Sequence, residues 1–150
     1  MLREDRPLDS YLALGQVSAS PAEDGRLTVA EIYELRLSAD LVVLSACRGG
    51  LGSITGDGVD GLTRPFFYAG ADTVIATLWD VLDEPTNRLI SSFYRRYQQG
   101  GEKSVALRAA QLELLAALRK GTVTVETALG PVKLPENPLL WAGFVVIGEP

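Results

Sequence analysis

Few residues in this chain are able to do chemistry, and the first is its only thiol. The 150 residues contain one cysteine, Cys47, and no histidine. Cys47 follows the apolar run Leu41-Val42-Val43-Leu44-Ser45-Ala46 and precedes a segment, Arg48 to Gly58, with glycine at 49, 50, 52, 56 and 58. A thiolate becomes a useful nucleophile when a neighbouring cation, base or helix N-terminus lowers its pKa. Arg48 stands beside it, and the glycine-rich backbone, free to approach a ligand closely, could supply amide donors to an oxyanion. The other reading, which residue type alone favours, is an inert buried cysteine that finishes a β-strand. Without histidine these residues cannot assemble a Ser-His-Asp or Cys-His unit or a Cys/His zinc site, and one cysteine excludes an internal disulfide framework.

Two further groupings carry possible chemistry. Gly56-Asp57-Gly58-Val59-Asp60-Gly61 satisfies G-x-G-x-x-G, and Asp80 lies 19 residues after Gly61, near the separation of a ribose-binding acid. Against dinucleotide binding, nine residues, Cys47 to Thr55, separate the motif from the apolar run, where a phosphate turn must begin as the strand ends. Asp57 and Asp60 would also repel a pyrophosphate. The third grouping is Trp79, Asp80, Asp83 and Glu84, after a second apolar run. A carboxylate at the base of a cleft would select a lysine or arginine side chain of a substrate. Asp83 and Glu84, directly before Pro85, better suit the first turn of a helix; Asp80 is less easily assigned to capping.

The composition sets bounds on all of this. A 16.1 kDa chain with 47% hydrophobic and 22% charged residues and a mean hydropathy of +0.13 is a single globular domain. The longest stretch without a charge, Ser10 to Ala22, contains Gly15 and Pro21 and is too short for the ~20 apolar residues that span a bilayer. Met1-Leu2-Arg3-Glu4-Asp5-Arg6 has no apolar signal region, so a cytoplasmic location is expected. The net charge is −5, with 4 basic and 8 acidic residues in positions 1 to 40. The densest cationic spot, Arg88, Arg95 and Arg96, reads as the solvated face of one helix, so no nucleic-acid partner is expected.

The elements that must position these residues alternate. Tyr11 to Leu14 reads as a short strand, and about 16–26 as an irregular linker. Thr28 with Glu31 forms a capping box that opens a helix running to about Leu35, with Leu27 stapled on Ile32. Leu41 to Ala46 and Asp72 to Leu78 read as fully buried parallel strands. Between them a helix runs from about Val59 to Ala69; Pro65 inside it predicts a kink or a late start, and Gly70 a C-cap. Helices follow over Pro85–Gln98 and Ser104–Lys120, separated by Gly100-Gly101 and closed by Gly121. A small hairpin-like insert occupies about 122–134, and Phe144 to Ile147 forms a last buried strand. The order β-α-β-α-β-α-α-β predicts an α/β domain, a mainly parallel sheet with helices on both faces. Ligands in such sheets sit beyond the carboxyl ends of strands, where Cys47 and Trp79 to Asp83 fall.

Several separated segments together resemble one family. Ser45-Ala46-Cys47-Arg48-Gly49 matches four of five positions of the caspase signature Q-A-C-[RQG]-G. With it stand the glycine loop ending Gly58-Val59, Ala69-Gly70-Ala71, Leu78-Trp79, Ala106-Leu107-Arg108-Ala109-Ala110-Gln111 and Trp141-Ala142-Gly143-Phe144-Val145-Val146-Ile147-Gly148. Over about 24–148 the chain resembles the C-terminal part of a CHAT domain, a caspase-like, separase-related family often joined to tetratricopeptide repeats in bacteria. The resemblance implies a three-layer caspase-like sandwich and a cysteine endopeptidase with Cys47 as nucleophile. It further implies a protein or peptide substrate, an oxyanion site that includes the Cys47 amide, and no cofactor. The wall beside the nucleophile would comprise Arg48 and Gly49, where the family usually has Glu-Thr-Gly after the cysteine. The family's histidine lies about 50 residues before the cysteine and only 46 residues precede it here, so the base is expected upstream of Met1. These 150 residues alone are then expected to be inactive. A caspase-like interaction domain without catalysis is the alternative. Pro65, and Asn137-Pro138 where His-Pro is frequent, are further departures.

Overall fold

The computed structural model of the chain describes residues 7–14, 24–45, 54–55, 58–59 and 62–149. They divide into two compact units: positions 1–79 with 147–149, and positions 80–146.

In the first unit, β1 (Tyr11–Ala13) pairs antiparallel with β2 (Arg26–Thr28), with Tyr11 opposite Thr28. The guanidinium of Arg26 lies 4.9 Å from the centre of the Tyr11 ring. Thr28 then caps α1 (Val29–Glu34). The Thr28 hydroxyl accepts from the Glu31 amide at 3.2 Å, and the Glu31 carboxylate accepts from the Thr28 amide at 2.7 Å, so the predicted capping box is present in full. Both bonds satisfy donors that a helix start leaves open. The first of the buried runs becomes β3 (Val42–Leu44) and the second β6 (Thr73–Thr77). They are parallel, with Val42 opposite Val74, Val43 opposite Ile75 and Leu44 opposite Ala76. All five residues of β6 are buried, so both of its faces are covered.

Between them, β4 (Ile54–Thr55) pairs antiparallel with β5 (Gly58–Val59), and α2 runs over Thr63–Ala69. The helix starts late, as Pro65 predicts. Proline occupies the first turn, where its missing N–H costs nothing. Gly70 closes α2 at φ +106°, and a Cβ there would overlap the Leu37 carbonyl oxygen. Val29 and Ile32 of α1, Phe66 of α2, and Leu44, Val74 and Ala76 of the sheet share one buried cluster, with Leu27 packed against it. One face of β3–β6 is therefore covered by α1 and α2.

The second unit opens with α3 (Asp83–Tyr97) and α4 (Lys103–Arg119). The connection 98–102 folds α4 back antiparallel, and Ser92 of α3 meets Glu113 of α4. Gly100 (φ +85°) makes that turn and Gly121 (φ +64°) ends α4. A hairpin of β7 (Thr124–Thr127) and β8 (Gly130–Lys133) follows. Next comes α5 (Pro138–Trp141), capped by the Asn137 carboxamide, which accepts from the Leu139 amide at 3.0 Å. Arg119 of α4 pairs with Glu136 at 2.8 Å, and Gln111 Nε2 donates to the Phe144 carbonyl at 2.9 Å.

The last strand, β9 (Phe144–Gly148), ends in the first unit and completes a three-stranded sheet of order β3-β6-β9. There the Glu149 amide donates to the Asp72 carbonyl at 3.1 Å, and the Thr73 hydroxyl donates to the Glu149 carbonyl at 2.6 Å. The end of β9 thus lies beside the start of β6, so the two strands run antiparallel. Gly148 (φ +103°) permits the approach, since a Cβ there would overlap the Asp72 carbonyl oxygen. The fold is α/β as expected, but the expectation of a mainly parallel sheet is corrected. Among the described residues β3–β6 is the parallel ladder, joined by a parallel bridge from Ala39 to Ala71, and the other ladders with a printed register are antiparallel. A continuous apolar run reports burial on two faces and carries no information on direction.

Candidate functional site

The parallel β3–β6 pair brings two strand ends to one edge of the sheet. β3 ends at Leu44 and is followed by exposed Ser45; Leu44 pairs with Ala76, one residue before β6 ends at Thr77. Cys47, three residues beyond Leu44 in sequence, lies outside the described residues, as do Arg48 and Gly49. β6 delivers Leu78 and Trp79, both half-buried.

Asp80 opens the second unit as an exposed residue ahead of α3. The other acids of that segment are placed differently. Asp83 and Glu84 are the first two residues of α3, where carboxylates complement the positive end of the helix dipole. Glu84 also accepts from Arg88 Nε at 2.7 Å, one turn on. Leu82 is the N-cap residue and no side chain bonds the cap, so the two acids act through the dipole and this ion pair. Of the acidic grouping, Asp80 alone stands outside the helix.

The glycine motif does not have the layout of a dinucleotide turn. Gly56, Asp57, Asp60 and Gly61 lie outside the described residues, but Gly58-Val59 forms β5, a strand paired with β4. Phosphate binding needs glycines in the turn between a strand and a helix N-terminus. Among the described residues no three His, Cys, Asp or Glu side chains come together as a metal site. No helix there is long and apolar enough to cross a membrane.

A family model described as CHAT domain matches residues 1–149. The chain belongs to the CHAT domain family. Its curated relatives include tetratricopeptide repeat protein 28 of Mus musculus, 34% identical over 129 residues, and of Homo sapiens, 33% identical over 129 residues. Each alignment covers 86% of this chain and 5% of the relative, so the chain spans about one-twentieth of the length of the curated relatives it matches. Both are mammalian proteins named for tetratricopeptide repeats.

A second concavity, unanticipated from sequence, lies within the second unit. Arg88 and Arg95, read there as a solvated face, line a cleft of about 430 Å³ between α3 and α4 of the CHAT domain. Its signal was legible in hindsight: positions 84, 88, 91 and 95 share one face of α3, and Ala110 and Ala117 on α4 leave room opposite. Glu113, at the cleft wall, accepts from the Ser92 hydroxyl at 2.7 Å and from Arg96 Nη2 at 2.8 Å. These hydrogen bonds, that of Ser92 first, hold the Glu113 carboxyl below the usual glutamate range.

Proposed function

We propose that this CHAT domain is the nucleophile-bearing part of a caspase-like cysteine endopeptidase. The observation that carries the reading is family membership over nearly the whole chain, joined to a parallel strand pair whose first strand leads in sequence to Cys47. The fold proposed for the complete domain is the caspase-like three-layer sandwich, within which β3 and β6 are neighbours. In this reading the Cys47 thiolate attacks the scissile carbonyl of a protein or peptide. Backbone amides stabilise the oxyanion, the base that took the thiol proton returns it as general acid to the leaving amine, and water hydrolyses the thioester. Arg48 and Gly49 form the wall beside the nucleophile, and Trp79 and Asp80 line the approach for a basic substrate side chain. The base comes from outside these 150 residues, which contain no histidine. Tetratricopeptide repeats, in the name of the relatives, are proposed as the accompanying domain.

The second reading is a caspase-like interaction domain in which Cys47 serves packing. An electrophilic peptide probe separates the two. Applied to the protein with its natural flanking sequence, the probe should label it, and labelling should vanish in Cys47→Ala. No labelling under any activating condition would leave the interaction domain as the function. In a labelled protein, Asp80→Ala should erode preference for basic residues, and an unchanged preference removes Asp80 from the pocket.

A further inference from the structure

Among the described residues, the hairpin β7–β8 is a two-stranded sheet of its own. Two strands are seldom stable in water without a third strand or a helix against them. The hydrogen-bond pattern shows which edge is open to one. The Leu134 amide donates to the Val123 carbonyl at 2.9 Å, and the register sets Thr124 opposite Lys133, Val125 opposite Val132, Glu126 opposite Pro131 and Thr127 opposite Gly130. Bonded and unbonded pairs alternate along an antiparallel ladder, so Val125–Val132 and Thr127–Gly130 are bonded pairs like Val123–Leu134. Thr124 and Glu126 of β7, with Pro131 and Lys133 of β8, therefore turn their backbone groups outward. Pro131 fits this assignment, since it has no N–H to give.

The two edges differ. β8 is blunted by Pro131 and Lys133, two residue types that keep a further strand away. On β7 no backbone hydrogen bond from another described element reaches Thr124 or Glu126. A strand that adds there antiparallel must oppose these two with residues that also face outward. A second copy of β7 does so when Val125 lies on a two-fold axis opposite its own counterpart. Thr124 of each copy then faces Glu126 of the other, and the two pairs exchange four backbone hydrogen bonds. Each Glu126 carboxylate meets a Thr124 hydroxyl able to donate to it, where a second carboxylate would repel it. The same pairing aligns Val132 and Val125 of both copies as one apolar row across four strands. That face of the hairpin is buried at Val123, 0% exposed, and uncovered at Val132, 48% exposed. The neighbouring two-fold registers fail. Centring on Glu126 opposes like charges, and centring on Thr124 sets Glu126 against Thr122, whose amide already donates to the Ala117 carbonyl at 3.1 Å.

We infer that β7 is a dimer-forming edge: two copies of this chain pair antiparallel about Val125 and make a four-stranded sheet of order β8-β7-β7-β8. The inference stands whether or not the domain is a peptidase.

The test is sedimentation equilibrium of the full chain, loaded from about 1 μM to about 1 mM, a span that covers micromolar association. The mass should rise from monomer to dimer and stop there, because the pairing leaves only the blunted β8 edges. Glu126→Pro removes an outward N–H and no bond inside the hairpin, as Pro131 does opposite it. It should weaken the dimer at least tenfold while the dilute protein keeps its thermal midpoint. Residues opposite each other in an unbonded pair lie ~4.5 Å apart at Cα, within reach of a disulfide. With Cys47→Ala as background, Val125→Cys should therefore cross-link two copies under mild oxidation. Thr127→Cys, which would face Val123 of the second copy, should not. A chain that stays monomeric at every loading overturns the proposal and leaves the edge to a strand of another protein. A dimer that survives Glu126→Pro, or that cross-links through Thr127→Cys as readily as through Val125→Cys, overturns it as well. Should Glu126→Pro fail to fold, the two cysteine variants decide alone.

Discussion

Thr28 and Glu31 bond each other's backbone across the first turn of α1, and the consequences of that pair can be measured one side chain at a time. Thr28→Ala leaves the Glu31 amide without its acceptor and should cost about 1 kcal/mol of stability, read from urea unfolding. The bonds from the Thr28 backbone and then its side chain lower the Glu31 pKa, and those from Ser92 and then Arg96 lower that of Glu113. A carboxylate whose folded pKa is depressed adds stability above its unfolded pKa and loses it as pH falls through the folded value. The urea midpoint should therefore hold from pH 7 down to about 4.3, the ordinary glutamate value, and decline below it. Glu113→Gln should flatten that decline, and an unchanged acid limb would show that the Ser92–Arg96–Glu113 cluster does not contribute. Trp141 is the reverse case. Its indole nitrogen is buried with no hydrogen-bond partner among the described residues, and a buried unpaired donor costs stability. Trp141→Phe removes that donor along with some packing area, so it should shift stability by less than about 1 kcal/mol, measured by the same unfolding.

Gly70 ends α2 where the chain must turn under Leu37, and at the scale of elements such turns are the least replaceable positions. Gly70→Ala should destabilise by more than about 1 kcal/mol, because φ +106° and the Leu37 carbonyl both oppose a side chain. A thermal midpoint unchanged by that substitution would show that the turn relaxes freely. Much of this layer was legible in sequence because its signals are local. The Thr28 box, the late start forced by Pro65, the Gly70 cap, and the runs that became β3, β6 and β9 all depend on neighbours in the chain. What was not legible depends on distant partners. β2 exists because Arg26–Thr28 pairs with β1, and its three residues carry no alternation long enough to announce a strand. α5 is four residues long, although Asn137-Pro138 is a cap followed by a proline at the first helical position. The direction of β9 is set by where its end docks, which no property of Phe144–Gly148 encodes. For the site, sequence located the edge of the sheet where β3 and β6 end. It read Arg88 and Arg95 as solvated, and both are exposed; the cleft they line was not legible because its opposite wall, α4, is a tertiary neighbour.

At the scale of the whole molecule, a CHAT domain with one thiol and no histidine separates descent from activity. The 150 residues by themselves should show no peptidase turnover, since base assistance contributes ~10²- to 10⁴-fold and none of these side chains is an imidazole. Cleavage by this chain alone that disappears in Cys47→Ala would overturn that expectation. The closing of the first unit by Glu149 has a further consequence, measured in time. The Thr73–Glu149 bond joins residues 76 apart in sequence. At ~5 to 20 residues per second, β6 leaves synthesis ~4 to 15 s before the strand that covers its second edge exists. During that interval β6, made of Thr73-Val74-Ile75-Ala76-Thr77, presents an apolar open edge able to pair with another chain. Yield of folded protein should then fall with synthesis slowed between positions 80 and 146, with insoluble chain as the product.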